Sequence, residues 1–190
     1  MEVVLASASP RRKTLLEQLH FVVETKPVIG IDETPPSGVE VRLQVETICR
    51  RKADGCDFGQ DEIIIVADTM IEHPHDSNKS IGKPEGLNHA KEILSLLSGQ
   101  THKVWTTTGI FSKGKWHMFT NEAVVFIPSL DDETMIHLLD SGSWQGKAGA
   151  YDLHGEMQKF ASLKLGEEST VLGIASEAIT FLQSMAEGVI

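Results

Sequence analysis

Apolar positions recur along this chain with two different periods. Val3 to Ala6 is a short apolar run ahead of Ser9-Pro10, a pair that predicts a helix N-cap followed by proline in the first turn. Leu15, Leu16 and Leu19 give that helix its apolar face. Val41, Val45, Ile48 and Cys49 stand at helical spacing and predict a second helix over Glu40 to Ala53, after the Pro35-Pro36-Ser37-Gly38 breaker. Ile63 to Ala67 is short and β-branched, the pattern of a central strand buried on both faces. Asp76 to Lys79 reads as a polar loop. Leu87, Ala90, Ile93, Leu94 and Leu97 predict a third helix stopped by Gly99. His102 to Phe111 and Trp116 to Ile127 predict two long strands around a Ser112-Lys113-Gly114-Lys115 turn. A helix over Asp131 to Leu139 ends before Gly142. A Gly-rich loop from Gly146 to Gly155, a strand over Lys159 to Leu165 and a helix over Ala175 to Met185 complete the pattern. Helices alternating with strands that also pair as hairpins predict an α/β fold with a mixed sheet.

The chain is 190 residues long, a length that suits one domain over residues 1–190. Lys plus Arg number 17 against 27 Asp plus Glu, a formal net charge of −10. A body this acidic repels the phosphates of DNA or RNA, yet leaves room for a local basic pocket around one small phosphate ligand. The apolar runs are far shorter than the roughly 20 residues of a membrane-spanning helix, so no membrane association is expected. The N-terminus shows no signal-peptide pattern. Cys49 and Cys56 form no CxxC and read as reduced thiols of a cytoplasmic protein.

Several residues carry chemistry. Ser7-Ala8-Ser9-Pro10-Arg11-Arg12 leads from a strand to a helix N-terminus. Free backbone N–H groups and the helix dipole favour an anion there, and Ser7, Ser9, Arg11 and Arg12 can add hydroxyl and guanidinium donors. A solvated arginine pair beside an ordinary cap is the plainer reading. Asp68 is placed at the end of the Ile63 to Ala67 strand, where α/β sheets bind ligands, and Thr69 can add a hydroxyl. Such a carboxylate can hold a divalent metal, activate a water, or simply form a turn. Lys52 follows Val45 by seven residues and Ile48 by four, so it lies near the inward stripe of its helix. It either snorkels to solvent or requires an anionic partner. Lys83 stands in the tight Gly82-Lys83-Pro84 loop, and Asp32 with Glu33 in a stiff acidic turn. His73-Pro74-His75 lacks further nearby ligands and reads as a surface loop. P-loop, GxSxG and HExxH signatures are missing from the sequence.

Taken together, SASPRR at 7–12, IDETP at 31–35, RRKA at 50–53, ADT at 67–69, GKP at 82–84, LSGQTHKVWTT at 97–107 and KAGAYDLHG at 147–155 resemble the Maf family of nucleoside triphosphate pyrophosphatases. The resemblance spans nearly the whole chain, and Thr170-Val171-Leu172-Gly173 departs from the family's NVVGLP stretch. It implies an elongated mixed sheet flanked by helices, with two lobes around a nucleotide cleft as in the related inosine triphosphatases. It implies hydrolysis between the α and β phosphates to a nucleoside monophosphate and pyrophosphate, dependence on Mg²⁺ or Mn²⁺, and a homodimer. By matching position, Asp68 is the proton acceptor, Lys52 and Lys83 act with it, and Ser7, Arg11 and Arg12 surround the triphosphate. Glu33 lies near the metal. Arg12 and Thr69 match two of three positions that mark the dTTP/UTP-preferring subgroup; His154 stands where that subgroup has glutamine. Neutral histidine offers one donor and one acceptor on a rigid ring of different reach. A non-catalytic nucleotide-binding regulator of septum formation is the alternative from another class. An inosine/xanthosine triphosphate pyrophosphatase is a third reading, from which SASPRR and KAGAY point away.

Overall fold

The computed structural model describes residues 1–57, 59 and 62–189. Strand β1 is Glu2–Leu5, helix α1 Pro10–Gln18, β2 Val22–Thr25, α2 Val41–Asp54 and β3 Ile64–His73. There follow β4 (Asp76–Ile81), α3 (Leu87–Leu97), β5 (Thr101–Ser112), β6 (Lys115–Phe126) and α4 (Asp132–Asp140). The chain ends with β7 (Ser162–Leu165), α5 (Glu168–Leu172) and α6 (Ser176–Ala186). Seven strands make one sheet in the order β2-β1-β3-β5-β6-β7, with β4 added to β3. β1 pairs in parallel with β2 and β3, and the other pairings are antiparallel. The mixed α/β architecture expected from the sequence is therefore the one found. No helix among the described residues is long and apolar enough to cross a membrane.

The apolar run in β3 is continuous because both of its faces are covered. Ile64 and Val66 pack with Cys49 and Ala53 of α2 on one face. Ile65 and Ala67 pack with Leu16 of α1 and Ala178 and Leu182 of α6 on the other. Farther along the same strand, Ile71 belongs to a separate core with Ile81, Leu94, Val104, Val125 and Tyr151. Asp68, Thr69 and Met70 lie between these two cores, so polar side chains occupy the seam of the molecule.

Three expectations are corrected. Asp76 to Lys79 is not a loop but most of β4, whose backbone pairs with an extension of β3 (Ile71 with Ile81, Glu72 with Ser80). Its side chains are mostly exposed, so no apolar alternation marks it. Asp68 is not at a strand end, because β3 runs on to His73. The strand drawn over Lys159 to Leu165 begins only at Ser162, and Glu156–Lys159 is a 3-10 turn. The Gly146 to Gly155 loop likewise contains a 3-10 turn, at Ala148–Ala150. The exposed edge strand β2 and the five-residue α5 had no periodic signal to predict them.

Candidate active site

The sheet leaves a notch beside Asp68. β1 borders β3 only as far as the Leu5–Ile65 pair, and the Ala6 N–H closes that edge on the Ile65 carbonyl at 2.8 Å. The chain then turns away through Ser7 into α1. β4 approaches the same edge from the opposite direction and stops at the Ile81–Ile71 pair. Among the described residues, β3 between these points is bordered only by β5, on its other edge. Two strand ends thus deliver Ser7 and Lys83 toward the stretch carrying Asp68 and Thr69. The site lies beyond the carboxyl end of a parallel strand, as in other open α/β sheets, although Asp68 itself sits in mid-strand.

On the α2 face, Lys52 joins two carboxylates. Its Nζ lies 2.7 Å from Asp68 Oδ1 and 3.0 Å from Glu33 Oε2. The Lys52 side chain is 13% exposed, Asp68 11% and Glu33 61%. Of the two readings for Lys52, the structure shows the partnered one. Burial pushes the Asp68 carboxyl above its ordinary range, while the Lys52 and Arg12 charges pull it back only in part. A carboxylate raised in this way is better matched to proton transfer near neutral pH. Glu33 reaches Lys52 because its loop is tied down by Arg51. Arg51 Nη1 donates to the Thr34 carbonyl at 2.8 Å and the Asp32 carbonyl at 3.1 Å, and it meets Asp32 Oδ2 at 3.2 Å. Arg51 was missed in the sequence; its signal was a cation in the last turn of a helix that follows an acidic loop.

On the α1 face, Ser9 caps the helix, its Oγ accepting from the Arg12 N–H at 3.5 Å. Arg12 then reaches across the molecule. Its Nε donates to the Gly173 carbonyl at 2.8 Å, Nη1 to Ser7 Oγ at 2.9 Å and Nη2 to Thr69 Oγ1 at 3.1 Å. Three protein acceptors, rather than an anion alone, hold the guanidinium. Among the described residues, two of its five N–H groups have no acceptor. Burial lowers the Arg12 pKa from its ordinary value and the Asp68 charge opposes that, so the two residues of the notch feel each other across β3. Arg11 forms no ion pair among the described residues. It lines a recess with Thr69, Ile71, Ala148, Tyr151 and Leu153.

The remaining expected residues are placed less centrally. Lys83 is exposed on the loop after β4, with no ion pair among the described residues. Its loop is pinned where the Gly149 N–H meets the Gly82 carbonyl at 3.1 Å. Gly149 has φ +72, and a Cβ there would collide with Ile71 and Tyr151, so only glycine lets this loop lie against the recess. His154 is exposed, and its Nε2 stands 2.6 Å from Glu168 Oε1 of α5. It is the neighbouring Tyr151 and Leu153 that line the recess.

Asp68 and Glu33 offer hard oxygen donors that share one cation. No group of three or more His, Cys, Asp or Glu residues among the described residues could hold a metal alone. Two carboxylates fit Mg²⁺ or Mn²⁺ of the kind completed by waters and substrate phosphates rather than by an all-protein cage.

The chain is similar over most of its length to known proteins. A dTTP/UTP pyrophosphatase of Shouchella clausii (strain KSM-K16) is 34% identical over 172 residues, covering 90% of this chain and 88% of its own. One from Pelotomaculum thermopropionicum is 33% identical over 176 residues, covering 91% and 90%. One from Ruegeria sp. (strain TM1040) is 30% identical over 185 residues, covering 97% and 94%. The family model described as Maf-like protein matches residues 2–185, and the chain belongs to that family.

Proposed function

We propose that this chain is a nucleoside triphosphate pyrophosphatase acting on dTTP or UTP, releasing the nucleoside monophosphate and pyrophosphate. The observation that carries the reading is the partly buried Asp68, raised in pKa and facing an open notch with Lys52 at 2.7 Å. The similar proteins named dTTP/UTP pyrophosphatase support the choice of substrate.

Arg11, the two free N–H groups of Arg12 and the Lys83 loop bind the triphosphate, which carries about four negative charges. Water supplies the oxygen, the bridging P–O bond between the α and β phosphates breaks, and pyrophosphate leaves with the bonding pair. Asp68 takes the proton from the attacking water. Lys52 keeps Asp68 ionised and oriented between turnovers. Glu33 and Asp68 would hold Mg²⁺ or Mn²⁺, which when bound neutralises phosphate charge and makes water more acidic.

Product analysis tests this. With UTP and Mg²⁺ or Mn²⁺, the protein yields UMP and pyrophosphate in equal amounts. Accumulation of UDP and orthophosphate, or no turnover of any triphosphate with either metal, would refute it.

A further inference from the structure

A directional chain of hydrogen bonds runs behind the recess. Arg12 Nη2 donates to Thr69 Oγ1. Thr69 Oγ1 lies 2.9 Å from Thr106 Oγ1, which lies 2.7 Å from the Thr170 carbonyl oxygen. A carbonyl only accepts, so the single hydroxyl hydrogen of Thr106 is committed to Thr170. The bond between the two threonines must then use the hydrogen of Thr69. Thr106 and Thr170 are fully buried, so solvent offers Thr106 no other acceptor. Thr69 has donated its hydrogen inward and accepted from Arg12. What it has left for the recess it lines is a lone pair.

We propose that Thr106 is a positioning residue for base selection. By fixing the hydrogen of Thr69, it makes the threonine's side of the recess an acceptor and never a donor, so that position selects a base that brings a ring N–H. The inference rests on the nucleotide substrate proposed above. Uracil and thymine carry one base N–H, at ring position N3. Cytosine in the same seat presents a lone pair at N3, against the lone pair of Thr69. A site whose polar group is left unpaired by the wrong ligand discriminates more strongly than one that only loses apolar contact.

Dissociation constants for UMP and CMP, measured by calorimetry, test this alongside kcat/KM for UTP and CTP. Wild type prefers the uridine nucleotide by about tenfold or more. Thr106→Val removes the hydroxyl at nearly constant shape and frees the Thr69 hydrogen to turn outward. Its uridine-to-cytidine ratio falls toward one, with cytidine gaining as uridine loses. Thr106→Ser keeps the hydroxyl and restores the ratio. A merely structural role would weaken both nucleotides equally. An unchanged ratio in Thr106→Val, or no preference in wild type, overturns the inference. N3-methyl-UMP tests it without a variant: removal of the only base N–H abolishes the preference for uridine, and undiminished binding overturns the inference. Pyrophosphate release with an unchanged ratio would sink this inference alone. A ratio that behaves as stated, with no pyrophosphate release, would sink the proposed reaction alone.

Discussion

Lys52 Nζ donates to Asp68 Oδ1 at 2.7 Å, joining the last turn of α2 to the middle of β3, and both side chains are almost wholly withdrawn from water. Removing one member of such a pair strands the other charge. Lys52→Met is expected to lose about 3–5 kcal/mol of stability, read by urea denaturation. Asp68 already has its pKa raised by burial, so its ionised form opposes folding once it lacks a partner. The loss is therefore larger at pH 8 than at pH 5. Adding Asp68→Asn to Lys52→Met recovers part of it. Equal stability of Lys52→Met at the two pH values would contradict this account.

His102 supplies a second pH dependence. Its Nε2 shares a hydrogen bond with the Tyr151 hydroxyl at 2.9 Å, and its Nδ1 has no partner among the described residues. A protonated ring would bury an unsolvated charge, so burial pulls the pKa from 6.5 to about 4. At intermediate pH the unfolded chain binds a proton that the native state refuses. The stability contribution is complete above about pH 6.5 and is lost as pH falls toward 4, amounting to about 3 kcal/mol. Urea titrations of His102→Gln show a flatter profile over this window than wild type; parallel profiles would remove His102 as the cause.

Gly173 ends α5 with φ +106, and its carbonyl holds Arg12. A Cβ there would lie 2.9 Å from Arg12 Nε and 3.2 Å from Thr69 Oγ1. Gly173→Ala is expected to cost about 1–3 kcal/mol through the strained backbone. It also displaces the guanidinium, so KM for UTP rises more than kcat falls. A variant with wild-type melting temperature and wild-type KM would show that the clasp is unimportant.

Arg51 acts on Glu33 at one remove, by holding the loop of residues 31–35. Arg51→Ala is expected to weaken the apparent affinity for Mg²⁺ in turnover by about tenfold while leaving overall stability nearly unchanged. A metal titration curve that superimposes on wild type would dissociate that loop from metal binding.

Much of this was legible in the sequence where burial imposes a period. The β-branched run at Ile63 to Ala67 and the leucine spacing of α3 both gave elements close to those observed. Asp68, Thr69, Arg12 and Lys52 were legible because charge or hydroxyl groups interrupt buried elements. β4 was illegible because its stability comes from backbone pairing while its side chains face water. The Arg12 contact with Gly173 spans most of the chain, and no local pattern encodes so distant an acceptor. The role of Thr106 was equally hidden, since a threonine in a strand of consecutive threonines at 106–108 reads as ordinary β-propensity.

Asp68→Asn, assayed with UTP and Mg²⁺ or Mn²⁺ beside calorimetric binding of UMP, addresses the core of the mechanism most directly. The substitution keeps the shape of the side chain and removes its capacity to take a proton. The account predicts that kcat falls by about a hundredfold or more while UMP still binds within a few-fold of wild type. Retention of kcat within about threefold would contradict the assignment of Asp68 as the base.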